Sequence, residues 1–299
     1  MGCNQPLMVV VLGPTASGKT ALGIALAQRY GWRVLSVDSR QIYRDMDIGT
    51  AKPTAAEQRQ APHELLDLST PDQPLNLQQF CALAQPLITA EQNAGRAALL
   101  VGGSGLYLQA LSQGLRPPAL PPHPQLRQQL QHLGQPSCHQ LLRQADPDAA
   151  ARIHPSDAVR TQRALEVLYG TGQRFSRQQH RQPPAGQVLE LGLNPADLRE
   201  RIERRTAELY QRGLIEETAA LMQRYGPELP LLQTIGYGEA LAVLNGTLDQ
   251  SEAVAATSRR TWLFAKRQRT WFRNRHQPQW LSSDASLDEA CRAIDAVRT

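Results

Sequence analysis

The 299-residue chain has no apolar run approaching the roughly 18 residues of a membrane span. Its first residues, MGCNQP, lack the basic start and apolar stretch of a secretory signal, so a cytoplasmic protein is expected. Cysteine is scarce. Cys3, Cys81, Cys138 and Cys291 stand far apart with no C-x-x-C pair, which argues against a zinc site or a disulfide framework and leaves them as reduced packing residues. Aromatic residues make up only 5%, and no segment repeats at a fixed period. Lysine is the rarest charged residue: of 32 basic residues only Lys19, Lys52 and Lys266 are lysine. Such sparing use points to places where a compact ammonium is needed and a planar guanidinium does not fit.

The sequence does contain GPTASGKT, Gly13 to Thr20, which fits G-x-x-x-x-G-K-[ST] at every fixed position. In such a loop the backbone N–H groups of Gly13, Pro14's successors Thr15, Ala16 and Ser17, and Gly18 surround an anion at a helix N-terminus. Lys19 adds a point charge, and the Thr20 hydroxyl can hold Mg²⁺. The flanks suit it: Met8 to Leu12 (MVVVL) predicts a buried parallel strand, and Ala21 to Tyr30 has helical spacing. A second strand over Arg33 to Val37 delivers Asp38 at its carboxyl end, where ligands of doubly wound sheets sit. None of this restricts the anion to ATP. Lys19 lies in this loop, so Lys52 and Lys266 are expected in the same anionic neighbourhood.

Farther along, Asp38 to Thr54 (DSRQIYRDMDIGTAKPT) is too polar and aperiodic for a core element and predicts a long functional loop. A helix over Leu77 to Gln92 leads to a third strand, Arg96 to Val101, and then GGSG, which leaves Ser104 at the mouth of the sheet near Asp38. The proline-rich stretch Arg116 to Pro124 predicts a boundary. Residues 116–185 are expected to be a helical insertion, carrying Arg160 and Arg163 three apart on one helix face, within a core formed by 1–115 and 186–299. The strand Val188 to Leu193 returns to the sheet. Asp197 to Tyr225 follows as a long charged helix and its extension, with Arg201, Arg205 and Arg212 near one stripe, and a polar tail begins at Ser282. The predicted class is α/β: a P-loop NTPase-like parallel sheet flanked by helices, with an inserted helical domain.

The net charge of +5 is unevenly spread. Arg259 to Arg275 holds Arg259, Arg260, Lys266, Arg267, Arg269, Arg273 and Arg275 with no acid, interleaved with Trp262, Phe264, Trp271 and Phe272. A basic stripe with aromatics suits a polyanion backbone and its bases, while a helix sending its aromatics into the core explains the rings equally well. A kinase fits the phosphate loop, yet the third strand ends in Gly102 instead of the acid that would hold Mg²⁺, and the basic segment stays unexplained.

GPTASGKT, DSRQIYRDMDIGTAKPT, PHELLDL, VGGSGLYLQAL, RTQRALEVLYGTG, GLIEE, IGYGEAL and AKRQRTWFRN together closely resemble the tRNA dimethylallyltransferases, the bacterial tRNA isopentenyltransferase family. The resemblance runs in order from the first strand to about Asn274. It implies a loop that holds the pyrophosphate of dimethylallyl diphosphate, and transfer of the dimethylallyl group to N6 of the adenosine just 3′ of the anticodon in tRNAs reading codons that begin with U. Asp38 would be the base, Arg205 with Arg201 behind it would meet the leaving diphosphate, and Ser104 would keep a hydroxyl near the reacting amine. The adenosine would flip into a channel. Ser39, Arg40 and Gln41 would meet that base, the Gln41 amide at a base edge. Lys52, Arg160, Arg163, Lys266, Arg267 and Arg269 would hold tRNA, with Mg²⁺ on Thr20 and the protein a monomer. Glu64, Arg199 and Gly238 depart from the family pattern. An adenylate isopentenyltransferase shares the loop and the donor but needs neither the insertion nor the basic stripe, and a P-loop kinase remains the more distant alternative.

Overall fold

A computed structural model describes residues 5–118, 120–178, 180–282 and 286–298; Cys3 lies outside them. The chain divides into two compact units, 1–112 with 184–299, and 113–183.

The larger unit starts with β1 (Leu7–Leu12), α1 (Lys19–Tyr30), β2 (Val34–Ser36), the short α2 (Ala55–Gln60), β3 (His63–Glu64), α3 (Leu77–Asn93), β4 (Ala98–Gly102) and α4 (Gly105–Ser112). The smaller unit opens and closes on an antiparallel pair, β5 (Leu115–Arg116) with β6 (His180–Arg181), beside which the Gln182 N–H donates to Gly114 O at 2.8 Å. Between them lie α5 (Pro124–Leu133), α6 (Gln135–Ala145), α7 (Pro147–Arg152) and α8 (Ala158–Thr171), packed around Leu130, Cys138, Leu142, Ala164 and Leu165. The chain then adds β7 (Gln187–Leu193), α9 (Leu198–Gln211), α10 (Leu214–Tyr225), α11 (Tyr237–Leu244), α12 (Gln250–Arg275), β8 (Gln279–Leu281) and α13 (Ser286–Arg298).

Six strands form one sheet in the order β3-β2-β4-β1-β7-β8, every neighbouring pair parallel. Both faces are covered, as the unbroken apolar runs of a parallel sheet require. Met8, Val10 and Leu12 point with Leu35, Val37 and Leu100 into a core shared with Phe80, Tyr210, Tyr237 and Phe272. Val9 and Val11 point the other way, onto Leu22, Leu26, Trp32 and Ile294.

Two boundaries differ from the sequence expectation. The long helix from Asp197 breaks at Gly213, whose backbone sits at φ 100°, so α9 and α10 are separate helices. The segment from Ser282 is not merely a polar tail. Ala290 and Ile294 of α13 are buried against the face that packs α1, and just before Ser282 a strand, with Trp280 and Leu281, extends the sheet beside β7 where helix was expected. Among the described residues no helix is long and apolar enough to cross a membrane.

Candidate active site

The carboxyl ends of four adjacent strands, β2, β4, β1 and β7, deliver the polar groups of one cavity of about 430 Å³, large enough for a small-molecule site. The phosphate loop joins β1 to α1. Gly13 is required there by close approach: a Cβ at that position would lie 2.4 Å from Leu193 O at the end of β7. The Lys19 ammonium donates to Pro14 O at 2.6 Å and Ser17 Oγ at 3.4 Å. Thr15, Ala16, Lys19 and Thr20 line the cavity, whereas Pro14 and Ser17 serve to hold Lys19.

Asp38 follows β2 and accepts the Arg40 N–H at 2.9 Å. Ser104 follows β4; its Oγ accepts the Ser39 N–H at 2.9 Å and donates to Ser39 Oγ at 3.3 Å, tying the two strand ends together. From α9, Arg205 donates to Thr15 Oγ1 at 3.3 Å, and Arg201 is held by Asp197 at 2.8 Å with a guanidinium nitrogen near Gly18. Lys19, Asp38, Ser104 and Arg205 thus share one cavity.

Its electrostatics favour an anion. Burial, and then the neighbouring Arg205, push the Lys19 ammonium down to about 7, with only Asp38 acting in the opposite direction. Part of the Lys19 side chain faces the open cavity, but protein surrounds its charged end. Burial also lowers Arg205, against the pull of Asp38. Asp38 acts on both enclosed cations, with Glu57 and Glu208 adding to its pull on Arg205, and negative charge placed between Lys19 and Arg205 relieves their repulsion.

Two residues that sequence reasoning missed organise this site. Gln268 on α12 accepts the Thr15 N–H at 2.9 Å and donates to Gly103 O at 2.8 Å, bridging the phosphate loop and the GGSG turn. Glu217 on α10 accepts the N–H groups of Asp47, Ile48 and Gly49 at 3.1, 2.7 and 3.0 Å and the Tyr237 hydroxyl at 2.6 Å. The Tyr237 ring lies over that loop so closely that a Cβ on Gly49 would meet it at 2.4 Å. The AKRQ and GLIEE motifs held these two residues, but only the fold brings them to the site.

Three expectations change. Lys52 is no open anion site: its ammonium is buried and bonded to Tyr43 O at 2.8 Å, Asp47 at 2.6 Å and Asp67 at 2.5 Å, so it locks the loop internally. The Gln41 amide is already engaged, accepting from Ser36 Oγ and donating to Thr50 O and Ala51 O, so it shapes the cavity wall rather than offering a free base-reading edge. Arg163 turns inward to Glu166 and to Pro118 O and Leu120 O. Burial alone would raise Glu166, but Arg127, the His123 N–H and Arg163 bring it down to about 2. Arg160 remains largely exposed beside Asp157. On α12, Lys266 and Arg267 are exposed and Arg269 is half-buried. The departures from the family pattern have local partners: Glu64 pairs with Arg33, Arg199 with Glu203, and the bare Gly238 faces Arg260.

The fold and site together define a P-loop protein built to hold a polyphosphate-type anion beside a carboxylate. The family model described as IPP transferase matches residues 41–275. A tRNA dimethylallyltransferase of Synechococcus sp. (strain RCC307) is 74% identical over 98% of this chain and 99% of the relative. Another from Prochlorococcus marinus (strain MIT 9313) is 56% identical over 99% of each. The crystal structure of the tRNA isopentenylpyrophosphate transferase of Bacillus halodurans aligns with a TM-score of 0.71 at 35% identity, covering 98% of this chain and 96% of that one. A eukaryotic dimethylallyltransferase acting on tRNA aligns with a TM-score of 0.81 at 26% identity, over 97% of this chain and 78% of that one. The chain belongs to the IPP transferase family.

Proposed function

We propose that this chain transfers the dimethylallyl group of dimethylallyl diphosphate to N6 of the adenosine 3′-adjacent to the anticodon, in tRNAs reading codons that begin with U. The observation that carries the chemistry is the meeting of Lys19, Arg205 and Asp38 in one cavity behind a phosphate loop. The diphosphate lies against Lys19, Thr20, Arg205 and the loop N–H groups other than those of Thr15 and Ser17, which Gln268 and Pro14 O already accept, with Arg201 behind. N6 attacks the allylic carbon, a new N–C bond forms as the C–O bond to diphosphate breaks, and the bonding pair leaves with the diphosphate. Asp38 takes the N6 proton. Ser104, fixed by Ser39, places a hydroxyl beside the amine.

Mg²⁺ fits this donor set. The Thr20 hydroxyl lines the cavity beside Lys19 and would hold the ion together with the diphosphate it accompanies. Bound there, the ion would neutralise charge on the departing diphosphate.

The RNA is held outside the cavity by basic residues of α12, the exposed Lys266 and Arg267 with the half-buried Arg269, and by Arg160 of the helical unit at the anticodon stem. The enzyme acts as a cytoplasmic monomer. The test is one mass-spectrometric assay with Mg²⁺ and dimethylallyl diphosphate, offering an unmodified anticodon stem-loop and free AMP together. A dimethylallyl mass gain on the RNA alone is expected; a gain on AMP alone would make this a nucleotide prenyltransferase.

A further inference from the structure

The residues lining the cavity sort by exposure. Most are buried or half-buried, and only four are exposed: Arg40, Arg260, Phe264 and Arg267. The rim is therefore three arginines and one phenylalanine. Phe264 is 38% exposed, an unusual setting for a ring beside polar chemistry. The Arg267 guanidinium stands 5.9 Å from its centroid, and Arg260, one turn earlier on α12, is bonded to Glu239 at 2.5 Å.

The other three aromatics of the basic segment have structural work. Phe272 is fully buried in the core. Trp271 packs on the α4 turn, where a Cβ on Gly105 would lie 2.2 Å from its ring. Trp262 packs against Leu198, Ile202 and Ala265. The composition of the segment suggested rings for nucleobases; the fold leaves one ring at the rim for that task. Phe264 is also one helical turn from Gln268, which is anchored to the phosphate loop, so the platform is held in register with the reacting groups.

We propose that Phe264 is a stacking platform for the base next to the acceptor adenosine, with Arg267 and Arg40 meeting the flanking phosphates. The inference rests on the tRNA reading of this cavity and adds the residue that receives the neighbouring base. When one nucleotide leaves the loop stack for the cavity, its neighbour loses a stacking partner at the entrance. An exposed ring backed by a guanidinium replaces that partner without reading sequence.

The test measures binding and steady-state prenylation of full-length protein with three stem-loops: complete, abasic on the 5′ side of the acceptor, and abasic on its 3′ side. Phe264→Leu keeps apolar bulk at an exposed site, and Phe264→Trp restores a ring. Phe264→Leu should bind the complete RNA about tenfold more weakly, and Phe264→Trp should bind it like the unaltered protein. With one of the abasic RNAs the unaltered protein and Phe264→Leu should bind alike. Equal loss by Phe264→Leu on all three RNAs, or a change confined to the KM for dimethylallyl diphosphate, would overturn the proposal. Prenylation of no RNA by the unaltered protein would instead defeat the tRNA reading, while a base-dependent loss in binding would still be measurable.

Discussion

Pyrophosphate affinity should fall as pH rises through 7, because Lys19 carries that titration. In the free protein, burial and Arg205 hold Lys19 at about 7. Diphosphate beside the ammonium favours its charged form, so the bound state keeps the proton. The sign follows directly: below 7 the lysine is already charged and nothing is lost, whereas above 7 binding must take up a proton. From pH 7 to pH 9 the charged fraction of a group with pKa about 7 falls from about one half to about one hundredth, which corresponds to roughly fiftyfold weaker affinity. At pH 8 binding should take up about 0.9 proton per site. Calorimetry in two buffers of different ionisation enthalpy reads that number. The ligand's own titration is removed by comparison with Lys19→Met, which should bind weakly at every pH and lack this part of the slope. Identical slopes for the two proteins, with no proton uptake by the unaltered one, would show that Lys19 is fully charged before binding.

Asp38→Asn should lower prenyl transfer by at least about a hundredfold while stem-loop affinity stays within about twofold, measured by single-turnover kinetics and fluorescence anisotropy; near-normal transfer removes Asp38 as the base. Glu217→Ala leaves three loop N–H groups and the Tyr237 hydroxyl without their acceptor and should cost about 3 kcal/mol in urea unfolding, whereas Glu217→Gln, which keeps one oxygen, should cost less. Lys52→Met strands two carboxylates around an uncharged side chain and should destabilise by about 2 kcal/mol without changing the salt dependence of RNA binding, since that ammonium serves the loop.

The phosphate loop, Asp38 and Ser104 were legible because their signals are local: strand, turn and helix lie within a few residues, and strand ends in a parallel sheet share one edge. Gln268 was not, since it meets Thr15 across 253 positions of sequence and an amide on a basic helix looks like surface. Glu217 likewise bonds backbone N–H groups, which carry no side-chain identity. Lys52 misled because rarity tells that an ammonium is wanted but not whether its partner is a ligand or two carboxylates of its own loop. In α13, Ala290, Ile294 and Val297 have helical spacing, but the charged residues between them hid the amphipathic face.

The pairing of Leu115 with Arg181 and of Arg116 with His180 means that the 113–183 unit begins and ends at nearly the same point. An insertion gathered at its neck is interchangeable in length: residues can be gained or lost among its helices without altering the distance its two ends must span. A lineage could therefore enlarge, shrink or replace this unit while the sheet and its catalytic edge were inherited unchanged. By the same logic, a short turn in place of 113–183 should yield a core that still folds and binds pyrophosphate.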